Sequence, residues 1–323
     1  MITSLGLFEG RSVDPYYNLA VEQVLLESVQ EGQCILYLWQ NENTVVIGRN
    51  QNPWKECRTT LLSEEGGRLA RRLSGGGAVF HDTGNLNFTF LLRQEDYDVD
   101  RQLSVIQQAL RKMGLPAEKS GRNDLLVYGR KFSGNAFYKH DGRAYHHGTL
   151  LVDVDMNKLG RYLNPSKAKL RAKGVDSVRS RVANLTEFSP ELTIEMLKTV
   201  LAEAFSQVYG LPALPVDPPD AAAVEALRQR NESWQWNFGQ KLALSTIWET
   251  RFPWGEVQIT AGVENGLIQE VRVYSDAMDW QLPGRLEALL LGARFEKEAI
   301  CARLRAEAPD VALWLESEWE ENL

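Results

Sequence analysis

The chain has 323 residues, 44% hydrophobic and 24% charged, with a formal net charge of -7. That length buries a large core and leaves room for two domains, and the composition is that of a globular chain rather than a disordered or fibrous one. The acidic balance argues against a sequence-independent nucleic-acid binder, which needs a basic domain, while local cations leave small anionic ligands open. The first residues, Met1-Ile2-Thr3-Ser4, lack the basic start and apolar core of a secretory signal. No apolar run is long enough to cross a bilayer. Cys34, Cys57 and Cys301 are far apart and form no C-x-x-C pair, so reduced thiols and a cytoplasmic setting are expected.

In chain order, Asp14-Pro15 reads as an N-cap and first-turn pair, and Leu19, Val21, Val24, Leu25 and Val29 recur at helical spacing until Gly32. Strands are expected over 35–39 and 44–47, then on both sides of a glycine run, as Arg68–Arg72 and as Asn85–Phe90. The latter alternates polar and apolar residues as a half-buried strand does. A helix over 98–113 is closed by Gly114 and Pro116. Strands follow over 125–128, 131–138 and 145–152, with turns at Gly129 and Asp141-Gly142. A helix from Pro190 to Tyr209 opens at Ser189, and Pro212, Pro215, Pro218 and Pro219 then form a stiff segment of the kind that joins units. Beyond a short helix over 221–230, strands are expected over 242–250, 254–263 and 267–274, with Asn265-Gly266 as a hairpin turn. Helices over 285–291 and 296–316 complete a compact C-terminal domain of strands backed by helices.

The glycine run sits in Arg71-Arg72-Leu73-Ser74-Gly75-Gly76-Gly77-Ala78-Val79-Phe80-His81. Three adjacent glycines are costly to order, so something must need a bare backbone there. Main-chain N–H groups behind two guanidinium groups suit a phosphate or carboxylate cradle; a flexible hairpin tip is the plainer alternative. Neither G-x-x-x-x-G-K-[ST] nor a strand-to-helix G-x-G-x-x-G occurs. A second constellation runs from Gly121 to Ala136, where Lys131 follows Asp124 and precedes the small residues Ser133 and Gly134. Lys131 would meet an anion held on the glycine loop if the hairpin folds toward it, or else lie on a solvated edge. His146-His147 is a poor metal site because neighbours on a strand point to opposite faces. His147 is expected to hydrogen-bond or to line a pocket. The basic residues Lys167, Lys169, Arg171, Lys173, Arg179 and Arg181 suit either a solvated segment or a lid.

Six stretches, in order along nearly the whole chain, resemble the lipoate-protein ligase A family. They are 71–82, Arg122-Asn123-Asp124-Leu125, Lys131-Phe132-Ser133-Gly134-Asn135-Ala136, His146-His147-Gly148-Thr149-Leu150-Leu151, 173–185, and Trp236-Asn237-Phe238-Gly239. The resemblance implies an α+β fold, a mixed β-sheet with flanking helices of the biotin/lipoate ligase catalytic type. It divides the chain into a catalytic domain over 1–239 and a small C-terminal α/β accessory domain over 240–323. It also implies the activity: lipoate and ATP give lipoyl-adenylate and pyrophosphate, and the lipoyl group passes to a lysine ε-amine. The acceptors implied are lipoyl domains of 2-oxoacid dehydrogenase E2 subunits and the glycine-cleavage H protein.

Carried onto matching positions, Lys131 is the catalytic cation between carboxylate and α-phosphate. Arg72, Gly77, Ala78, Val79, Phe80, Lys131 and Asp124 are the implied nucleotide contacts, with Asp124 serving either the nucleotide or Mg²⁺. Lys131, Arg72, Ser74, Val79, His81, Ser133, His147 and Gly148 are the implied lipoate contacts. Mg²⁺ accompanies ATP, no prosthetic group is implied, and neither nucleic acid nor membrane is an expected partner of this monomer. The segment over 166–185 resembles the family's adenylate-covering loop. Among rivals, a cysteine-dependent octanoyl transferase is disfavoured because no cysteine falls in a matched motif. Biotin ligation fits poorly, since the loop lacks Gly-Arg-Gly-Arg, and a silent binding module would not keep Lys131 and the glycines. An amidotransferase that uses preformed lipoyl-adenylate stays open.

Overall fold

The computed structural model describes residues 1–121, 124–163, 182–238, 246–264 and 266–319. They divide into two compact units. The first contains Met1–Ile47, Trp54–Arg72 and Ala78–Asn237; the second contains Gly48–Pro53, Leu73–Gly77 and the C-terminal stretch from Phe238.

The strands of the first unit are β1 (Ser4–Glu9), β2 (Gln33–Trp39), β3 (Thr44–Ile47), β4 (Arg68–Arg71), β5 (Val79–His81), β6 (Asn85–Arg93), β7 (Ala117–Ser120), β8 (Asp124–Val127), β9 (Arg130–His140), β10 (Arg143–Leu151) and β11 (Ala213–Pro215). Eight of them form a mixed sheet in the order β11-β1-β2-β6-β10-β9-β8-β7, and β4-β3-β5 form a smaller one. The β11, β1 and β2 pairings are parallel, whereas β2, β6, β10, β9, β8 and β7 pair antiparallel. The fold is therefore α+β, a mixed sheet with flanking helices.

Local chemistry explains most of the elements. The Asp14 carboxylate accepts the Tyr16 N–H at 3.0 Å and Pro15 occupies the first turn, starting the helix Pro15–Ser28. Asp98 caps the helix Val99–Lys112 in the same way. Tyr128-Gly129 and Asp141-Gly142 all have positive φ, the conformation a two-residue hairpin turn between twisted strands requires. Phe88, Phe90 and Leu92 of β6 pack with Ile106, Leu110, Leu197 and Phe205 of the helices Val99–Lys112 and Ile194–Tyr209.

Four expectations are corrected. The alternating strand β6 is buried along eight of its nine residues, because the helix Pro15–Ser28 covers the face that carries Asn87 and Thr89. The helix expected from Pro190 begins at Ile194, where the Thr193 hydroxyl caps Met196 N–H. The proline-rich segment is more than a joint, since Ala213–Pro215 adds edge strand β11, where a proline without an N–H is tolerated. The single helix expected over 296–316 is two, Lys297–Leu304 and Pro309–Glu318, because Pro309 cannot continue a helix and instead starts one.

In the second unit β12 (Thr246–Phe252), β13 (Gly255–Glu264) and β14 (Leu267–Ser275) form an antiparallel meander. Trp248, Val257 and Ile259 meet Leu286, Ile300 and Leu315 from its helices in a core of its own. Of the expected Asn265-Gly266 turn, Asn265 lies outside the described residues and Gly266 has φ +74°. Among the described residues no helix is long and apolar enough to cross a membrane.

Candidate active site

Lys131 and Asp124 come together at the β8–β9 hairpin. The Lys131 Nζ lies 2.6 Å from Asp124 Oδ1, both side chains about one-third exposed. A bulge produces this: Leu126 pairs with Lys131 but Leu125 with Ser133, leaving Phe132 as the extra residue. Phe132 is buried in the core. The Lys131 side chain runs forward over Gly134, where an added Cβ would stand 3.3 Å from Nζ. The small residues after Lys131 thus make room for the ammonium group. Ala183 N–H donates to the Lys131 carbonyl at 2.9 Å, fixing its backbone.

Two residues beyond Gly134 along β9, about 7 Å farther on, Ala136 lies opposite His147 of β10, which also faces Thr89. Its Nδ1 is 2.8 Å from Glu22 Oε1, which also accepts the Thr89 hydroxyl at 2.7 Å. Trp39 Nε1–H in turn donates to Thr89 at 3.0 Å. Glu22 is only 2% exposed, so this carboxylate is held by polar partners in place of water. His81 completes the cluster, edge-on to the Trp39 ring at 6.3 Å. Burial first, then the nearby Arg72 and His147, lowers the His81 pKa to about 3, so its imidazole is neutral. Glu22, Trp39 and Thr89 were missed from the sequence. A signal existed: Asn18 and Glu22 stand four residues apart on the buried face of an otherwise apolar helix.

The two adjacent arginines have different fates. Arg72 is 5% exposed, donates through Nη1 to the Val46 carbonyl at 3.2 Å, and has its pKa lowered by burial to about 10. Arg71 instead points to the main chain of Trp236 and Asn237. Its Nε donates to Trp236 O at 3.1 Å, and Trp236 Nε1–H returns a bond to Arg71 O at 2.9 Å. The expectation of two anion-binding guanidinium groups is corrected accordingly: this geometry makes Arg71 a clamp for the Trp-Asn-Phe segment.

Val79, Phe80 and His81 form β5, with Ala78 just before it. Val79 is half-buried, whereas the Phe80 ring packs 5.5 Å from Tyr162, leaving its main chain for any ligand contact. Ser133 is fully buried and its hydroxyl accepts from Asn135 at 3.4 Å, on the His146 side of the sheet. A Cβ at Gly148 would overlap the Phe88 ring and Asn135, so its bare carbon serves close packing. His146 and His147 do face apart: His146 lies between Gln102 and Asn135, at 3.1 and 2.8 Å. Among the described residues no group of three or more His, Cys, Asp or Glu could hold a metal ion.

Ser74 and Gly77 belong to the second unit. There Ser74 O accepts from Arg49 N–H at 2.8 Å and Gly76 N–H donates to Ala277 O at 3.2 Å. Added Cβ atoms at Gly75 and Gly48 would overlap the Ala277 and Gly76 carbonyls respectively, whereas Gly77 faces open space. Part of the need for bare backbone is therefore chain packing, and Gly76 N–H already has a partner. Arg122, Asn123, Gly239 and the basic residues over 167–181 lie outside the described residues. A separate acidic cleft of about 600 Å³, lined by Glu42, Asp82, Asp153, Asp155 and Lys158 among others, contains none of the site residues expected from the sequence.

Residues 14–206 match the family model of the lipoyl protein ligase A/B catalytic domain, more than half of the chain, and the chain belongs to that family. It is an enzyme of the lipoate-protein ligase class. Residues 244–311 match the bacterial lipoate protein ligase C-terminus. The chain is similar to P. falciparum LipL1, solved in complex with lipoate, at 27% identity and a TM-score of 0.83, covering 99% of either chain. It is also similar to a bi-partite lipoate protein ligase from the archaeon Thermoplasma acidophilum, studied with its E2 lipoyl domain. That match has 28% identity and a TM-score of 0.65, covering 76% of this chain and 100% of the other. A lipoate-protein ligase A bound with ATP matches at 26% identity and a TM-score of 0.64, covering 74% of this chain and 99% of the other.

Proposed function

We propose that the protein activates free lipoate with ATP, releasing pyrophosphate, and transfers the lipoyl group from lipoyl-AMP to a lysine ε-amine on an acceptor protein. Acceptors are lipoyl domains of 2-oxoacid dehydrogenases or the glycine-cleavage H protein, and the setting is cytoplasmic salvage of lipoate by a monomer. Residues 1–239 act as the catalytic domain and 240–323 as an accessory domain. Lys131 carries the reading: an ammonium about one-third exposed, held by one carboxylate on a bulged strand and seated over the bare carbon of Gly134.

In the first step a lipoate carboxylate oxygen attacks the α-phosphorus, the bond to the β-phosphate breaks and pyrophosphate leaves. Bringing two anions within about 4 Å costs roughly 4 kcal/mol at an effective dielectric near 20. The Lys131 ammonium, contacting both, offsets that cost and stabilises charge in the transition state. Arg72, Gly77, Ala78, Val79, Phe80 and Asp124 hold the nucleotide. Arg72, Ser74, Val79, His81 and His147 hold lipoate with Lys131, and Ser133 and Gly148 contribute main chain only, since the Ser133 hydroxyl faces the His146 side. Mg²⁺ would arrive with the ATP substrate and neutralise phosphate charge; Asp124, which serves either the nucleotide or the ion, is the protein carboxylate that would hold it. In the second step the acceptor amine nitrogen attacks the acyl carbonyl and AMP leaves.

The test is lipoate-dependent pyrophosphate release from ATP and Mg²⁺, followed by addition of an apo lipoyl domain. Release with subsequent transfer is expected. Transfer from supplied lipoyl-adenylate without release would identify an amidotransferase instead. Lys131→Ala should fold normally and lose release by at least about 100-fold; near-wild-type release by this variant would refute the assignment.

A further inference from the structure

A chain of buried amides runs from the helix Pro15–Ser28 to His81, and it dictates which nitrogen of that imidazole carries the proton. Asn18 Nδ2 faces the carbonyls of Ser12 and Gln40 at 3.0 and 2.7 Å. Carbonyls only accept, so the Asn18 amide has one allowed orientation, with Oδ1 accepting the Tyr37 hydroxyl at 3.2 Å. The same Asn18 Nδ2 lies 3.0 Å from Asn41 Oδ1; its two hydrogens serve three acceptors, so one is shared, and a flipped Asn41 would set one –NH2 against the other. Asn41 must then turn its own amide N–H toward His81 Nδ1, 3.1 Å away. Nδ1 is therefore an acceptor, and the proton of the neutral ring sits on Nε2.

That Nε2 is buried and meets no hydrogen-bond partner among the described residues, on a residue 3% exposed. Asn18 and Asn41 are themselves fully buried. Three amide and phenol side chains are thus committed to aiming one N–H donor at a place where the described residues supply no acceptor. Arg72 and His147, two of the other residues assigned to lipoate, are the neighbours that, after burial, lower the His81 pKa.

We propose that Asn41, oriented by Asn18, is a positioning residue that holds His81 as an Nε2–H donor toward an acceptor atom of the bound acyl substrate. This rests on the lipoate-ligase reading. The acceptor is either a carboxylate oxygen or a dithiolane sulfur, and octanoate, which has the first and lacks the second, separates them. Asn41→Asp keeps the shape but replaces the donor with an acceptor, which, at a pH where the ring is neutral, draws the proton to Nδ1 and removes the donor at Nε2. His81→Gln places an amide N–H where Nε2 stood, whatever residue 41 does.

Imidazole nitrogen NMR of the wild-type protein should show the His81 proton on Nε2, and Asn41→Asp should move it to Nδ1. The variant should raise the KM for lipoate about tenfold with kcat nearly unchanged, and adding His81→Gln should recover most of that loss. A rise for lipoate alone assigns sulfur as the acceptor; a rise for octanoate as well assigns oxygen. An Nδ1–H tautomer in the wild type, or a moved proton with both KM values unaltered, overturns the proposal. If Asn41→Asp does not fold, the wild-type tautomer and its perturbation by added lipoate remain decisive, and a ring signal indifferent to bound lipoate overturns it. Absence of both lipoate binding and pyrophosphate release in the wild type would instead sink the ligase reading.

Discussion

Asp124 and Lys131 form a pair whose value is geometric. A pair exposed by about a third on each side contributes on the order of 0–1 kcal/mol to stability. Asp124→Asn should therefore leave the melting temperature within about 2 °C while lowering pyrophosphate release roughly tenfold, because the ammonium loses its fixed position. An unchanged rate in a steady-state assay would remove Asp124 from the site. The buried histidines set a second expectation. Burial lowers the pKa values of His81 and His146 to about 3 in the folded state, against about 6.5 in the unfolded chain. Between those values the unfolded chain binds more protons, so stability falls as pH drops below about 6.5. At pH 5 the loss is about 2 kcal/mol for each ring. Urea unfolding at pH 7 and pH 5 checks the slope, and His146→Gln should make it shallower by removing one of the two titrations.

At the scale of elements, the end of β4 shows how neighbouring residues of one type divide their work. Arg71 is bound to the Trp236-Asn237 main chain, while Arg72 turns into the cluster with Glu22 and His81. Arg71→Ala should destabilise the protein by about 1–3 kcal/mol through lost part-buried bonds, with less than a threefold change in the KM for ATP. Arg72→Ala should raise that KM more than tenfold. Equal kinetic effects of the two would contradict the division. The sequence marked the capped helices, the hairpins and Lys131 because each depends on contacts within a few residues. It misread β6 because polar-apolar alternation says which residues share a face, not whether water or another helix covers it. The buried polar face of Asn87 and Thr89 became visible only once the helix Pro15–Ser28 lay across it.

At the scale of the whole molecule, each unit has a core of its own: Phe88, Phe90, Ile106 and Phe205 in the first, Trp248, Ile259, Leu286 and Ile300 in the second. Lipoate plus ATP should therefore raise the calorimetric transition that belongs to the first unit. At a hundred times Kd the gain is about 2.7 kcal/mol, a shift of roughly 5–10 °C for a unit of this size. No shift in any transition at saturating ligand would argue against a lipoate site there. The sequence by itself determined the family, through six ordered motifs, and the local elements, through caps, turns and periodicity. Only the tertiary structure decided that Arg71 is a clamp, that Gly75 and Gly76 close against Ala277, that Asn18 meets Asn41 and Asn41 meets His81, and that Glu22 meets His147. Those pairings join residues as distant in the chain as Gly76 and Ala277, and a hydrogen bond between distant residues leaves no trace in local spacing.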